Sequence, residues 1–400
     1  MITTLLLSSF LGGAPDLYDA SETSAALRAK TLQVQATTVL LGDGTKLENG
    51  IVLVRDGKIV GIERGGKLDE AMPSVTHDGY LTAGLVACQG ELGANGEAYD
   101  ATRSFLPEAR MAHAFSPGHS DFQRALRNGI TTVVLTPTEE NPIGGLTSVV
   151  KTHGGTILSP EAHLAMSFTT TALAGGNLGF FFRFRAAQAA DGDLENTANS
   201  SSGARTPTSH SGLLRELNDQ LENGTGALER VRTGKLPVLM EAWDRNEVVR
   251  AARFAAANGL KGTVRGLPLA SDPYVIAALE TGGLSAILGP YGPSQKRRSL
   301  ESARALAEAG VPFAFALDAP HHAPESLRWT AAAALGAGAD HASVWKALTK
   351  DAAVIAGVAN RVGDLAPGLD ADLVLWSGDP LNLASRVDAV FVQGQRVHSN

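Results

Sequence analysis

The chain has 400 residues, 44% hydrophobic and 19% charged, which is enough apolar material for a large core and for two or three domains. Its mean hydropathy is +0.01 and it has no run of about 18 apolar residues, which argues against a transmembrane span. A net charge of −7 and a single short basic run, Lys296-Arg297-Arg298, leave no surface for nucleic acid, and the lone Cys88 excludes an intrachain disulfide and cysteine-rich zinc sites.

Residues 1–31 read as an N-terminal arm. Met1 to Ala14 is apolar or small and precedes Pro15-Asp16, like a secretory signal, yet no Lys or Arg stands before it. Exported and cytoplasmic placements are therefore equally compatible with the chain. Residues 32–63 alternate as short strands. Gly42-Asp43-Gly44 marks a turn, and Asp56-Gly57 between Ile51–Arg55 and Lys58–Ile62 is a hairpin signal, because a type I′ turn needs positive φ at both central positions.

From about residue 81 the pattern changes to alternating strand and helix. Asp121–Asn128 reads as a helix stopped by Gly129, and Ile130–Leu135 as a strand. Strands follow at 238–240, 260–264, 284–288 and 312–317, with helices at 247–257, 273–280, 299–309, 327–336 and 342–355. Repeated β–α units over some 250 residues suit a closed parallel barrel, and no GxGxxG turn supports a doubly wound sheet. Residues 189–212, which include Asn199-Ser200-Ser201-Ser202-Gly203, break the rhythm as a flexible insertion. The Phe180–Phe184 cluster reads as core rather than as an interface, and the oligomeric state stays open. The C-terminal end returns to strands, Ala371–Trp376 and a hairpin turning at Gly394, so both chain ends are expected to build one composite β domain.

Three stretches carry a family resemblance: Gly42-Asp43-Gly44 with Asp56-Gly57-Lys58-Ile59, Leu81-Thr82-Ala83-Gly84-Leu85-Val86, and Val362-Gly363-Asp364-Leu365-Ala366-Pro367-Gly368-Leu369-Asp370-Ala371-Asp372-Leu373-Val374. In order and spacing they resemble the amidohydrolase superfamily, and within it imidazolonepropionase-like members, from about residue 32 onward. The resemblance implies a distorted (β/α)₈ TIM barrel (81–360) and a small composite β-sandwich (32–80 with 361–400). It also implies a site at the C-terminal ends of the barrel strands, where divalent metal activates water against a non-peptide C–N bond.

Against that pattern the chain departs at the metal ligands. The His-x-His pair implied after the first barrel strand is Gln89 and Glu91. The histidine implied at strand five is Glu241, and the one at strand six is Arg265, which stays protonated and cannot ligate. Asp318 keeps the position of the strand-eight aspartate. His321 and His322 follow closely, but adjacent side chains on an extended segment point apart, so they read as loop histidines. Lys151 reads as part of an early barrel insertion rather than as a metal-bridging lysine.

The expectation is a convergence of Glu91, Glu241 and Asp318 on Arg265, whose guanidinium stands where a metal would and forks onto a carboxylate. Three functions follow. One is a binding or scaffold member with lost hydrolase chemistry, holding a small molecule at the barrel mouth without a cofactor. Another is an amide or cyclic-amide hydrolase with an oxygen-rich Zn, Mn or Mg site of Glu91, Glu241 and Asp318. The third is a metal-free acid–base enzyme using Glu241 or Asp318 with Arg265 as an oxyanion clamp.

Overall fold

The computed structural model of the chain describes residues 31–94, 98, 100, 103–173, 207–266, 270–292 and 294–399. The signal-like arm, the Phe180–Phe184 cluster and most of the 189–212 insertion lie outside these residues. The end of the insertion is corrected, because helical structure begins before residue 212. Ser209 caps the helix His210–Asn223, its hydroxyl accepting from the Gly212 N–H at 3.1 Å, and Leu213, Leu217 and Leu221 form its buried stripe at a spacing of four.

The N-terminal strands are β1 (Thr31–Leu40), β2 (Lys46–Arg55), β3 (Lys58–Arg64) and β4 (Ser74–Ala83). β2 and β3 form the expected hairpin, with Asp56 at φ +50° and Gly57 at φ +76°. β4, which sequence patterning did not single out, lies parallel to β1.

The chain then enters the barrel with β5 (Leu85–Gly90) and β6 (Ile130–Leu135), which are parallel. Short strands follow: β7 (Ile143–Leu146), β8 (Ser148–Lys151), β9 (Ile157–Ser159) and β10 (Leu164–Ser167). β11 (Val238–Glu241), β12 (Gly262–Arg265), β13 (Ser285–Leu288) and β14 (Phe313–Phe315) continue parallel to β10. Between β6 and β10, where a parallel strand would complete a regular barrel, the segment 143–151 runs the other way: β8 pairs antiparallel with β6, and β7 antiparallel with β10. This reversal is the distortion of the barrel. The far seam is made by main-chain bonds past the strand ends, with Leu317 N and Asp318 N donating to Gln89 O (3.1 Å each) and Glu91 N to Ala319 O (2.7 Å).

Side chains of the barrel strands separate by period two. Leu85, Ala87, Val133, Met240, Ala286 and Phe313 join the large core that includes the surrounding helices. Their alternates Val86, Cys88, Val134, Leu239, Ile287 and Ala314 form a second cluster with Ala352, Ala353 and Ile355 of the helix Lys350–Ile355. This second set is the inner face, and it decides which residues reach the rim.

β15 (Leu373–Trp376), β16 (Val387–Val392) and β17 (Gln395–Ser399) return to the first sheet. The result is one seven-stranded sheet in the order β17-β16-β15-β4-β1-β2-β3, so the composite β-rich domain is built from both ends as expected. Among the described residues no helix is long and apolar enough to cross a membrane.

Candidate functional site

The inner-face alternation delivers Glu241, Arg265 and Asp318, whereas Gln89 and Glu91 follow a register shift after Ala87 on β5. On β11, Leu239 faces inward and Glu241, two residues on, lies on the same side at the strand's end. On β12, Thr263 is followed by Arg265, and across the parallel ladder Arg265 is the register partner of Glu241. After β14, Ala314 and Ala316 lead to Asp318, whose main chain turns into the left-handed region at φ +52°. Gly266 makes the exit from β12 at φ +87°, where a Cβ would lie 2.9 Å from Ala242 O.

Arg265 bridges two carboxylates. Its Nη1 donates to Glu241 Oε2 at 2.7 Å and its Nη2 to Asp318 Oδ1 at 3.3 Å, with the guanidinium 5.9 Å from the Trp243 ring centroid. The expected fork onto a single carboxylate is therefore corrected to one nitrogen on each of two. Gln89 Nε2 also donates to Asp318 Oδ1, at 3.0 Å, and Asp318 Oδ2 faces His322 Nδ1 at 3.1 Å. His322 lies within a turn rather than on an extended segment, its N–H bonded to Asp318 O at 2.9 Å. His321 points elsewhere, with Nε2 4.0 Å from Glu91 Oε2, so the two histidines do diverge. Glu91 shares the rim but makes no ion pair with Arg265 among the described residues.

Burial dominates the electrostatics. It pushes Glu241 up to about 8, against the pull of Arg265 and with a further push from Glu139 and Asp318. Glu91 is raised to about 7, again by burial first, with His321 opposing and Asp318 and Glu140 adding. Arg265 pays for burial but is held above its ordinary range by its carboxylate neighbours, Glu241 foremost. Glu139 and Glu140 were not anticipated. They sit in the loop after β6, and the one cue was a pair of acids at the C-terminal end of a barrel strand.

Two hollows adjoin the rim. A water-sized recess of about 10 Å³ is lined by Glu139, Ser167, Glu241 and their neighbours. A cavity of about 380 Å³ lies beside it, lined by Leu106, Met111, Ala114 and Leu146, and both hollows have Pro137 and Gly144 in their walls.

Lys151 lies at the opposite end of the barrel. It is fully buried, its Nζ bonded to both oxygens of Asp372 (2.8 and 2.7 Å) and to Asp370 Oδ2 (2.8 Å). Asp370 is further held by Arg361 and Lys58. The motif aspartates thus serve the junction between sheet and barrel. Of the other histidines, His163 is buried between Thr147 and Ile355 O, and its protonation is driven down to about 4 by burial.

Residues 267–397 match the amidohydrolase family. The match reaches Asp318 but stops short of Gln89, Glu91, Glu241 and Arg265, and it does not single out the imidazolonepropionase-like subtype. No curated protein matches the chain. Among solved structures, the chain resembles an amidohydrolase from Thermotoga maritima MSB8, with TM-score 0.78 and 24% identity over 92% of this chain and 100% of that one. It also resembles a Xaa-Pro dipeptidase (TM-score 0.56, 12% identity, 92% and 100% covered) and the ochratoxinase of A. niger (TM-score 0.54, 16% identity, 93% and 96% covered). At these identities the likeness is one of fold.

Proposed function

We propose, from the match of residues 267–397 to the amidohydrolase family and the likeness of fold over most of the chain, that its barrel mouth is a small-molecule binding site in which Arg265 stands in for the metal of that family, with metal-dependent hydrolysis given up. The observation that carries this reading is the bridge Glu241–Arg265–Asp318. A divalent ion held by both carboxylates would lie roughly 4 Å from the guanidinium, and at an effective dielectric of about 20 the repulsion is on the order of 8 kcal/mol. The donor set points the same way. Asp318 already accepts from Arg265 and Gln89 and faces His322, and among the described residues no three His, Cys, Asp or Glu side chains are grouped as metal ligands. The residues present do not fit a divalent cation at this position.

The test is metal content by mass spectrometry on protein purified without chelators, then after reconstitution with Zn²⁺ and with Mn²⁺. Substoichiometric metal is expected throughout. One ion per chain, lost on Glu241→Gln and Asp318→Asn, would restore the oxygen-rich hydrolase and overturn this reading.

A second reading has one observation in its favour. Glu91, raised to about 7 and facing His321, holds its proton in the range a general acid or base needs. Turnover of an N-acyl or cyclic amide that survives EDTA and disappears in Glu91→Gln would favour metal-free catalysis over binding alone.

A further inference from the structure

We propose that the ligand of this mouth is a cationic, amine-bearing small molecule with an apolar body, its ammonium group seated on Glu241. The inference rests on the metal-free binding reading above and names the ligand class for it.

Charge is the first ground. Five carboxyl groups, Glu91, Glu139, Glu140, Glu241 and Asp318, share the rim with one guanidinium and the imidazoles of His321 and His322. Arg265 is already committed to Glu241 and Asp318, so the remaining acids lack a fixed cation of their own at the rim among the described residues.

The second ground is independent of charge. Glu241 is 6% exposed, and while its Oε2 is bonded to Arg265, its Oε1 is buried without a hydrogen-bond partner among the described residues. Glu241 lines the recess of about 10 Å³, which is room for one water-sized group. Gln89 Oε1 and Glu140 Oε2 are likewise buried without partners. Gln89 Oε1 is an acceptor, and Glu241 Oε1 and Glu140 Oε2 are acceptors once their carboxyls are ionised, which a cation seated on Glu241 favours against the burial that raises it, so the missing partner is rich in donors. An ammonium group has the size of a water, three donors and no acceptor, and its single charge meets half the repulsion from Arg265 that a divalent ion would meet, set against the further acids of the rim, whereas a carboxylate or ester carbonyl would add acceptors to acceptors. A buried, unpaired carboxyl oxygen costs free energy that such a charge-assisted bond removes.

The third ground is the cavity of about 380 Å³ beyond Pro137 and Gly144, where Leu106, Met111, Ala114 and Leu146 offer an apolar wall beside the charged Asp100 and Arg110. Arg110 at its edge is neutralised by Glu161.

The experiment is calorimetric titration of the full chain with hexylamine, 1-hexanol and hexanoate, three probes with one hydrocarbon body and different heads. Hexylamine is expected to bind saturably, at least about tenfold more tightly than hexanol, with hexanoate silent. Binding should weaken about tenfold in Glu241→Gln and more mildly in Glu139→Gln, a half-buried rim position whose substitution leaves the core intact, and should fall as salt is raised. Hexanoate binding as well as hexylamine, no binding by any probe, or hexylamine binding unchanged in both variants would overturn the proposal. A parallel Mn²⁺ titration separates the two ideas. Stoichiometric Mn²⁺ that blocks hexylamine defeats the metal-free reading, whereas silent Mn²⁺ with failure of hexylamine defeats only the ligand class.

Discussion

Glu91 and Glu241 hold their protons more tightly in the folded chain than an unfolded carboxyl does, which fixes the sign of their effect on stability. A carboxyl raised on folding favours the native state most below its unfolded value near 4, and that advantage is lost as pH climbs through the folded value. For Glu91 the loss runs from about pH 4 to about 7. The expected result is that Glu91→Gln matches the parent near pH 4 and is more stable by about 1–3 kcal/mol at pH 8 in urea unfolding. Equal stability at both values would mean that the carboxyl is not held protonated. Arg265→Met is expected to act in the opposite direction. It strands Glu241 and Asp318 at the rim and should cost about 3–5 kcal/mol at pH 8, less at pH 5 where Glu241 is protonated in either protein. The positions of Glu241, Arg265 and Asp318 were readable only through the family resemblance, which implies site residues at the ends of strands five, six and eight, and the structure adds that each ends an inner-face alternation. The sequence could not show that Arg265 divides its two amino groups between two carboxylates, nor that Glu139 and Glu140 join them, since loop placement carries no period.

Among the elements, the helix Arg245–Asn258 ties the rim to the scaffold. Asp244 and Glu247 form a reciprocal capping box, and Glu247 does more than cap. Its Oε2 accepts from Trp243 N (2.7 Å) and Asp244 N (3.2 Å), and its Oε1 from Thr170 N (3.1 Å), so one buried carboxylate satisfies main-chain donors from the loops after β10 and β11. Glu247→Ala is expected to cost roughly 2–4 kcal/mol, against about 1 for Asp244→Ala, because it orphans three donors instead of one. The urea midpoints of the two variants give the comparison, and equal costs would refute the wider role. The hairpins at Asp56-Gly57 and Gly394 were legible because turn chemistry is local. The reversed segment 143–151 was not. Its strands have four residues each, and Gly144 and Gly145 interrupt any alternation, so only pairing with β6 and β10 reveals them. Likewise the helices read at 299–309 and 342–355 are each broken, at Glu301 and at Thr349, where the local backbone rather than composition makes the interruption.

For the molecule as a whole, Lys151 is the point where sheet and barrel are joined electrostatically. Lys151→Met should cost about 3–5 kcal/mol at pH 7 by leaving Asp372 buried without its cation. Asp372 is already raised by burial, so protonation offers it an escape, and the deficit should shrink as pH falls toward 4. Calorimetric melts at the two pH values test this, and a pH-independent deficit would assign the loss to packing instead. The same junction bears on how the chain is made. Lys151 and Asp372 are 221 residues apart, and β15, which covers the open edge of β4, lies in the same late segment. At about 5–20 residues per second, a ribosome needs roughly 10–45 seconds to deliver the partner of that lysine. During that interval the reversed strand has an unmatched charge at its buried end, and the first sheet offers a bare edge. Vectorial synthesis therefore leaves the sheet and its junction with the barrel incomplete until β15 emerges, with the edge of β4 open to pairing in the meantime.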